Sequence, residues 1–167
     1  MQVATTNPGP AEVVDDLIGD ALPGRRGLGA WRAFIRAHAS LMRDLATDLA
    51  TKTGLTLGDY DVLAQLAKGG GGLRMSELAA RAFSSRSGMT RRIDRLVEEG
   101  LVSRAGAGSD ARGVIVALTD AGLERLIDTV PVHLRGVAER FVEPLDDEEL
   151  GVLERALEKV TVDCTFG

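Results

Sequence analysis

The sequence predicts a mainly α-helical fold carrying one small β-hairpin, and three observations predict it. Apolar residues recur at helical spacing at both ends of the 167-residue chain, from Trp31 to Leu49 and from Leu150 to Val160. Between them, Arg74 to Thr119 reads as a short helix, a polar break, an arginine-rich helix, a strand, a Gly-rich loop and a second strand. That second strand, Val114 to Leu118, is a β-branched run suited to a sheet.

Along the chain, residues 1–10 are polar with two prolines and read as an arm. Residues 11–22 suit a short acidic helix, which Pro23-Gly24 and the glycines at 27 and 29 should break. A long helix is expected over 30–53, its stripe built from Trp31, Phe34, Ile35, His38, Leu41, Met42, Leu45 and Leu49. Gly54 ends it. Thr56 opens the next helix, with Asp59 three residues on as a capping box, and Tyr60, Leu63, Leu66 and Ala67 face inward. The glycine run 69–72 closes that helix. A short helix over Ser76 to Ala82 and the break Ser84-Ser85 lead into the arginine helix, which runs to Glu99. Gly100 is placed to cap it, with Leu101 folding back on Leu96. The first strand covers Leu101 to Arg104. Thr119 caps a helix from Asp120 to about Phe141, and Pro131 inside it should kink it. Asp146 and Glu149 form a capping box for a last helix. Its Leu150, Leu153, Leu157 and Val160 make a narrow seam suited to pairing with another helix or to packing on the same chain.

The arginine helix carries the functional signal. Met89, Ile93, Leu96 and Val97 mark one packed face, and ~100° per residue puts Ser87, Gly88, Arg91 and Arg95 opposite. Arg86, Arg91 and Arg92 occupy its first half, whereas Glu98 and Glu99 occupy its last turn. The helix dipole prefers the reverse order. An N-terminal half that is basic suits an end aimed at a polyanion, where free N–H groups already favour phosphate. A solvated face with Arg95 and Glu99 paired at i, i+4 is the ordinary alternative.

The charge partition agrees with the first reading. The chain carries a net charge of −5, but residues 74–112 hold eight arginines against five acids while the remainder holds twelve bases against twenty acids. A basic patch on an acidic body binds DNA with one face and repels it elsewhere. The apolar fraction of 44% suffices for a core, and 4% aromatics means that the core is mostly Leu, Val and Ala. The length fits one compact domain, or a small one with dimerising extensions. A single cysteine, Cys164, permits no intramolecular disulfide and reads as incidental. There is no apolar run of membrane-spanning length and no basic start followed by an apolar stretch, so a soluble, cytoplasmic protein without a membrane partner is expected.

Other chemistries find little support. Two histidines far apart and one cysteine make no metal-ligand set, and no paired carboxylates or activated nucleophile suggest an enzyme. The glycine run 69–72 follows a helix, whereas a phosphate-cradling loop follows a strand, so no cofactor is expected. A protein-interaction module, in which an acidic partner meets the same arginines, stays open as the second reading.

With these residues in view, the chain resembles the MarR family of winged helix-turn-helix transcriptional regulators over about residues 30–162. The resemblance is carried by LGDYDVLAQL (57–66), MSELAARA (75–82), SGMTRRIDRLVEEGLVSR (87–104) and DARGVIVALTDAG (110–122). It implies a homodimer that binds an inverted-repeat operator, as a repressor, and that a small aromatic or anionic effector releases; a ligand-independent regulator is the variant of that reading. Residues 1–29 would be an arm, 30–54 and 120–167 dimerisation helices, and 55–119 the DNA-binding module. DNA contacts are expected from Ser85, Arg86, Ser87, Gly88, Thr90, Arg91, Arg92 and Arg95, and from Asp110 and Arg112 of the wing, where Arg112 would reach the minor groove. Ala111 stands where the family often has a second arginine. Trp31, Phe34, His38 and Tyr60, with His133 beside them, fit an effector pocket or ordinary core packing. Leu150, Leu153, Leu157 and Val160 would form the dimerisation seam.

Overall fold

The structure is a computed structural model that describes residues 9, 11, 13, 14, 17, 25–82, 86–106 and 114–161. Its contacts divide the chain into two units, residues 1–42 and 43–167.

Among the described residues of the first unit, 11, 13, 14 and 17 are helical, Gly9 is not, and from Arg25 onward they belong to helix α1 (Arg25–Thr53), which continues into the second unit. The break expected at Gly27 and Gly29 is absent: α1 starts at Arg25 and runs through both. Each glycine costs a helix about 1 kcal/mol relative to alanine. The good helix formers around them (Arg25, Arg26, Leu28, Ala30) and the length of the helix offset that cost. The stripe on this unit is open to solvent, with Trp31 57% exposed and Phe34, Ile35 and Met42 exposed as well.

The second unit begins in the last turns of α1, where Leu45 and Leu49 are buried. Gly54 adopts φ +74, the left-handed value that ends α1 and that a side chain would strain. Helix α2 (Leu57–Lys68) opens on the expected box: the Asp59 N–H donates to Thr56 Oγ1 at 3.2 Å and the Thr56 N–H donates to Asp59 Oδ2 at 3.1 Å. Its end is a Schellman motif: the Gly71 N–H reaches the Leu66 carbonyl and the Gly70 N–H that of Ala67. This turn delivers a strand that the sequence reading lacks, β1 (Gly72–Arg74). Three residues, one of them glycine, carry no periodicity to read.

Helix α3 (Met75–Arg81) and helix α4 (Arg86–Glu98) follow, then strands β2 (Val102–Gly106) and β3 (Val114–Leu118). The sheet is antiparallel in the order β1-β3-β2, so the hairpin is braced by a third strand, with Leu73 opposite Val116 and Arg104 also opposite Val116. Leu63, Leu66, Leu78, Ile93, Leu96 and Val116 form the fully buried centre of the core, drawn from α2, α3, α4 and the sheet.

Helix α5 (Asp120–Val137) is capped by Thr119, which accepts from the Gly122 N–H. It stays α-helical through Pro131, and its departure from α geometry comes later, as a π-helical turn at Ala138–Val142. Gly136 lets α5 approach α1 closely: a Cβ there would lie 2.8 Å from Leu45 Cδ2. Arg140 then bridges to Asp48 at 2.8 Å. The last helix, α6 (Asp147–Thr161), starts with the expected reciprocal cap between Asp146 and Glu149, and it buries no residue fully.

Candidate nucleic-acid interface

Helix α4 presents two different faces. Met89, Ile93 and Leu96 are buried against α2, α3 and the sheet, while Thr90 and Arg91 are exposed. Gly88 is half-buried near the start of the helix. Arg86 and Ser87 belong to its first turn. Ser85, Asp110 and Arg112 lie outside the described residues, as does Cys164.

The remaining two arginines of α4 turn back to the protein. Asp59, only 3% exposed, sits in the first turn of α2 and faces both. Its Oδ1 is 3.3 Å from Arg92 Nε and accepts a hydrogen bond from Arg95 Nη2, while its Oδ2 stays on Thr56. Gly58 leaves the space for this: a Cβ there would overlap the Arg92 guanidinium. Arg95 also reaches Glu99 at 3.7 Å, the i, i+4 pair of the ordinary alternative. Burying a carboxylate is costly unless it is paired, and two guanidiniums plus two donors of Thr56 supply the pairing.

Two further ties hold the same helix. Arg104 on β2 meets Asp94 on α4 at 2.6 Å, linking the wing to the helix. At the far end, Gly100 takes φ +74 and forms a Schellman cap with Leu101 N–H on the Leu96 carbonyl at 2.9 Å. The Thr119 hydroxyl shares its proton between the Gly100 and Leu101 carbonyls at 2.8 and 3.0 Å. Helix α4 is therefore fixed by α2, by the wing strand and by the start of α5, while Thr90 and Arg91 are exposed. Asp59 was visible in the sequence as a cap. Its pairing with Arg95, 36 residues away, has no local signal.

The aromatic residues fall into two sets. Trp31, Phe34 and His38 form a ladder on the first unit, with ring centroids 6.1 and 6.2 Å apart, exposed along its length. In the second unit Tyr60 meets His133 of α5 with centroids 4.5 Å apart. Burial raises the Tyr60 pKa above its usual value, helped by the neighbouring Asp61 carboxylate, and burial lowers that of His133. Among the described residues, His133 Nδ1 is buried without a hydrogen-bond partner. Of the seam residues, Leu150, Leu153 and Leu157 are half-buried and Val160 is 73% exposed. No group of metal-binding side chains occurs among the described residues, and none of their helices is long and apolar enough to cross a membrane.

Comparison with known proteins agrees with this geometry. The MarR family model matches residues 53–113, which span α2 to the wing. AbsC, a MarR family transcriptional regulator from Streptomyces coelicolor, is 31% identical, superposes with a TM-score of 0.78, and shares 86% of this chain and 97% of its own. A second MarR family regulator from that organism, solved in complex with DNA, is likewise 31% identical with a TM-score of 0.78 over 84% of this chain and 88% of its own. The transcriptional repressor MdtR of Bacillus subtilis (strain 168) is 32% identical over 99 residues, 59% of this chain and 63% of its own length. With an arginine helix tied to a β-hairpin strand and relatives of this kind, the chain belongs to the MarR family of winged-helix transcriptional regulators.

Proposed function

We propose that the protein represses transcription as a homodimer, placing α4 of each protomer in successive major grooves of an inverted-repeat operator. The observation that carries this reading is the division of labour on α4. Its apolar face and its Arg92 and Arg95 are committed to the protein, whereas Arg91 is exposed. An exposed arginine on this helix offers guanidinium donors to phosphates and base edges. The DNA-bound structural relative and the repressor MdtR support it. In this scheme Ser85, Arg86, Ser87, Gly88, Thr90 and Arg91 face DNA, Arg92 and Arg95 hold the helix in place, and Asp110 orients Arg112 toward the minor groove. Leu150, Leu153, Leu157 and Val160 belong to the dimer interface.

The release signal in this reading is a small aromatic or anionic molecule. The half-buried Tyr60–His133 pair, with an orphaned ring nitrogen, supplies a polar-aromatic surface suited to it. Sequencing of genomic fragments retained by the purified protein should return a two-fold symmetric site with half-sites centred about one helical turn, ~10 bp, apart. Recovery of fragments with no shared symmetric sequence would overturn the operator reading.

A further inference from the structure

A strongly basic stretch of this protein lies outside α4. From Arg25 to Arg43, α1 contains five arginines and no acid, in a chain whose net charge is −5. Arg32, Arg36 and Arg43 recur at i, i+4, i+11, within about 40° of one another at ~100° per residue, so they form one row along the helix. Arg26 stands on the same half of the helix, and Gly29, Ala33 and Ser40 fall between it and the row. All seven residues are exposed, and none of the four arginines makes an ion pair with a described residue. The apolar stripe from Trp31 to Leu49 is centred about 140° away from the row, so whatever covers the stripe leaves the row open.

Helix α4, by contrast, has little uncompensated charge. Arg92 and Arg95 face the Asp59 carboxylate, and Asp94 and Glu98 add two acids to the same helix. Of the arginines whose side chains are described on α4, only Arg91 is not tied to a carboxylate among the described residues. Affinity for DNA that does not depend on sequence comes almost entirely from basic side chains that neutralise phosphates. An acidic chain that ties up its recognition-helix arginines needs such side chains elsewhere, and α1 has them.

We propose that the arginine face of α1 is a second DNA contact, one that binds the phosphate backbone without reading sequence. The inference rests on the DNA-binding reading of α4 and adds a source for the sequence-independent share of the affinity. At 1.5 Å rise per residue, Arg32 to Arg43 spans about 16.5 Å, a length over which duplex DNA presents about ten phosphate charges. Guanidinium forks match phosphate oxygens two at a time, and the small side chains of Gly29, Ala33 and Ser40 leave room for a backbone to come close. A membrane surface fits this helix less well. An interfacial helix buries its apolar stripe in lipid, and a row about 140° round from the stripe then points away from the anionic headgroups.

The test uses two variants of the full chain, one carrying R32Q, R36Q and R43Q and the other R32K, R36K and R43K. Glutamine removes the charge and keeps the helix propensity. The probe is a duplex of random sequence, titrated by fluorescence anisotropy at several salt concentrations, beside the operator recovered from genomic fragments. The Gln variant should bind the random duplex at least about tenfold more weakly at low salt, with a salt slope shallower by about 2–3 units for each protomer that engages. The ratio of operator to random affinity should stay the same, because backbone contacts strengthen both alike. The Lys variant should keep the parental slope, since lysine neutralises phosphate too. If the triple Gln variant loses its helical circular dichroism, R32Q, R36Q and R43Q singly carry the test, each reducing the slope by about one unit. An unchanged slope would overturn the proposal. So would a loss confined to the operator, or a dimer that weakens in sedimentation in step with DNA binding, since the arginines would then read sequence or serve a protein interface. Loss of binding to phosphatidylserine vesicles with DNA binding intact would overturn it in favour of a membrane. A parent that binds no duplex at all would overturn the DNA reading itself. An R91A variant that loses operator affinity, beside a Gln variant that keeps its slope, would overturn only the second contact.

Discussion

Replacing Asp59 with asparagine tests whether α4 is held in place by a buried carboxylate. The substitution keeps the shape and removes the charge. Asp59 uses Oδ2 for Thr56 and Oδ1 for Arg95, with Arg92 beside it. An amide has one oxygen, so its NH2 group must face either the guanidiniums or the Thr56 N–H, donor against donor. A hydrogen bond to a charged group contributes about 1.5–3 kcal/mol to stability. Arg95 is 47% exposed and can turn to water, which discounts the loss, whereas Arg92 at 26% has less room. The net expectation is a destabilisation of about 2 kcal/mol, or roughly 4–8 °C in Tm for a chain of this size. Urea and thermal unfolding of D59N, R95A and the double variant give the cycle, and a coupling above about 0.5 kcal/mol is expected between the two sites. DNA titration at a temperature where both proteins are folded adds a second readout. Removing a negative charge near α4 favours DNA by simple electrostatics, so a loss of operator affinity in D59N identifies misplacement of the helix. A stability change within about 0.5 kcal/mol, or tighter operator binding, would refute the reasoning.

Gly122→Ala should destabilise by about 1–3 kcal/mol, outweighing the helix-propensity gain of about 1 kcal/mol. A Cβ there overlaps the Leu101 carbonyl oxygen, which is backbone and cannot move aside; calorimetry showing an equal or higher Tm would refute the close approach. Burial holds the folded-state pKa of His133 below its usual 6.5, so the unfolded chain binds this proton first as the pH falls. Its contribution to stability is then full above about pH 6.5 and is lost as the pH drops through the folded-state value. His133→Phe should flatten the stability profile in that window, and urea midpoints with unchanged pH dependence would contradict it. Arg91→Ala should leave stability within about 0.5 kcal/mol while lowering operator affinity, either with a salt slope reduced by about one unit or with relaxed preference at one base pair. Unchanged titrations at two salt concentrations would remove Arg91 from the interface.

The local rules of the chain were legible because each acts within a few residues. Thr56 with Asp59, Asp146 with Glu149, Thr119, and Gly100 followed by Leu101 each announce a helix end through bonds spanning no more than five residues. The period of Met89, Ile93 and Leu96 announced the buried face of α4 because a helix repeats every 3.6 residues. Where those rules compete, the reading failed: Gly27 and Gly29 look like a break, yet the helix on either side of them prevails. Strand β1 has no pattern of its own and exists because β3 offers a free edge for Gly72 to Arg74. The use of the arginines was decided only in three dimensions. Arg91, Arg92 and Arg95 are alike in sequence, and all three looked available. Folding brings Asp59, buried and in need of counter-charge, up to two of them and leaves the third in solvent. A carboxylate 36 residues away can select its partners only once the helices have packed, because that pairing depends on depth and direction, neither of which is carried by residue spacing along α4.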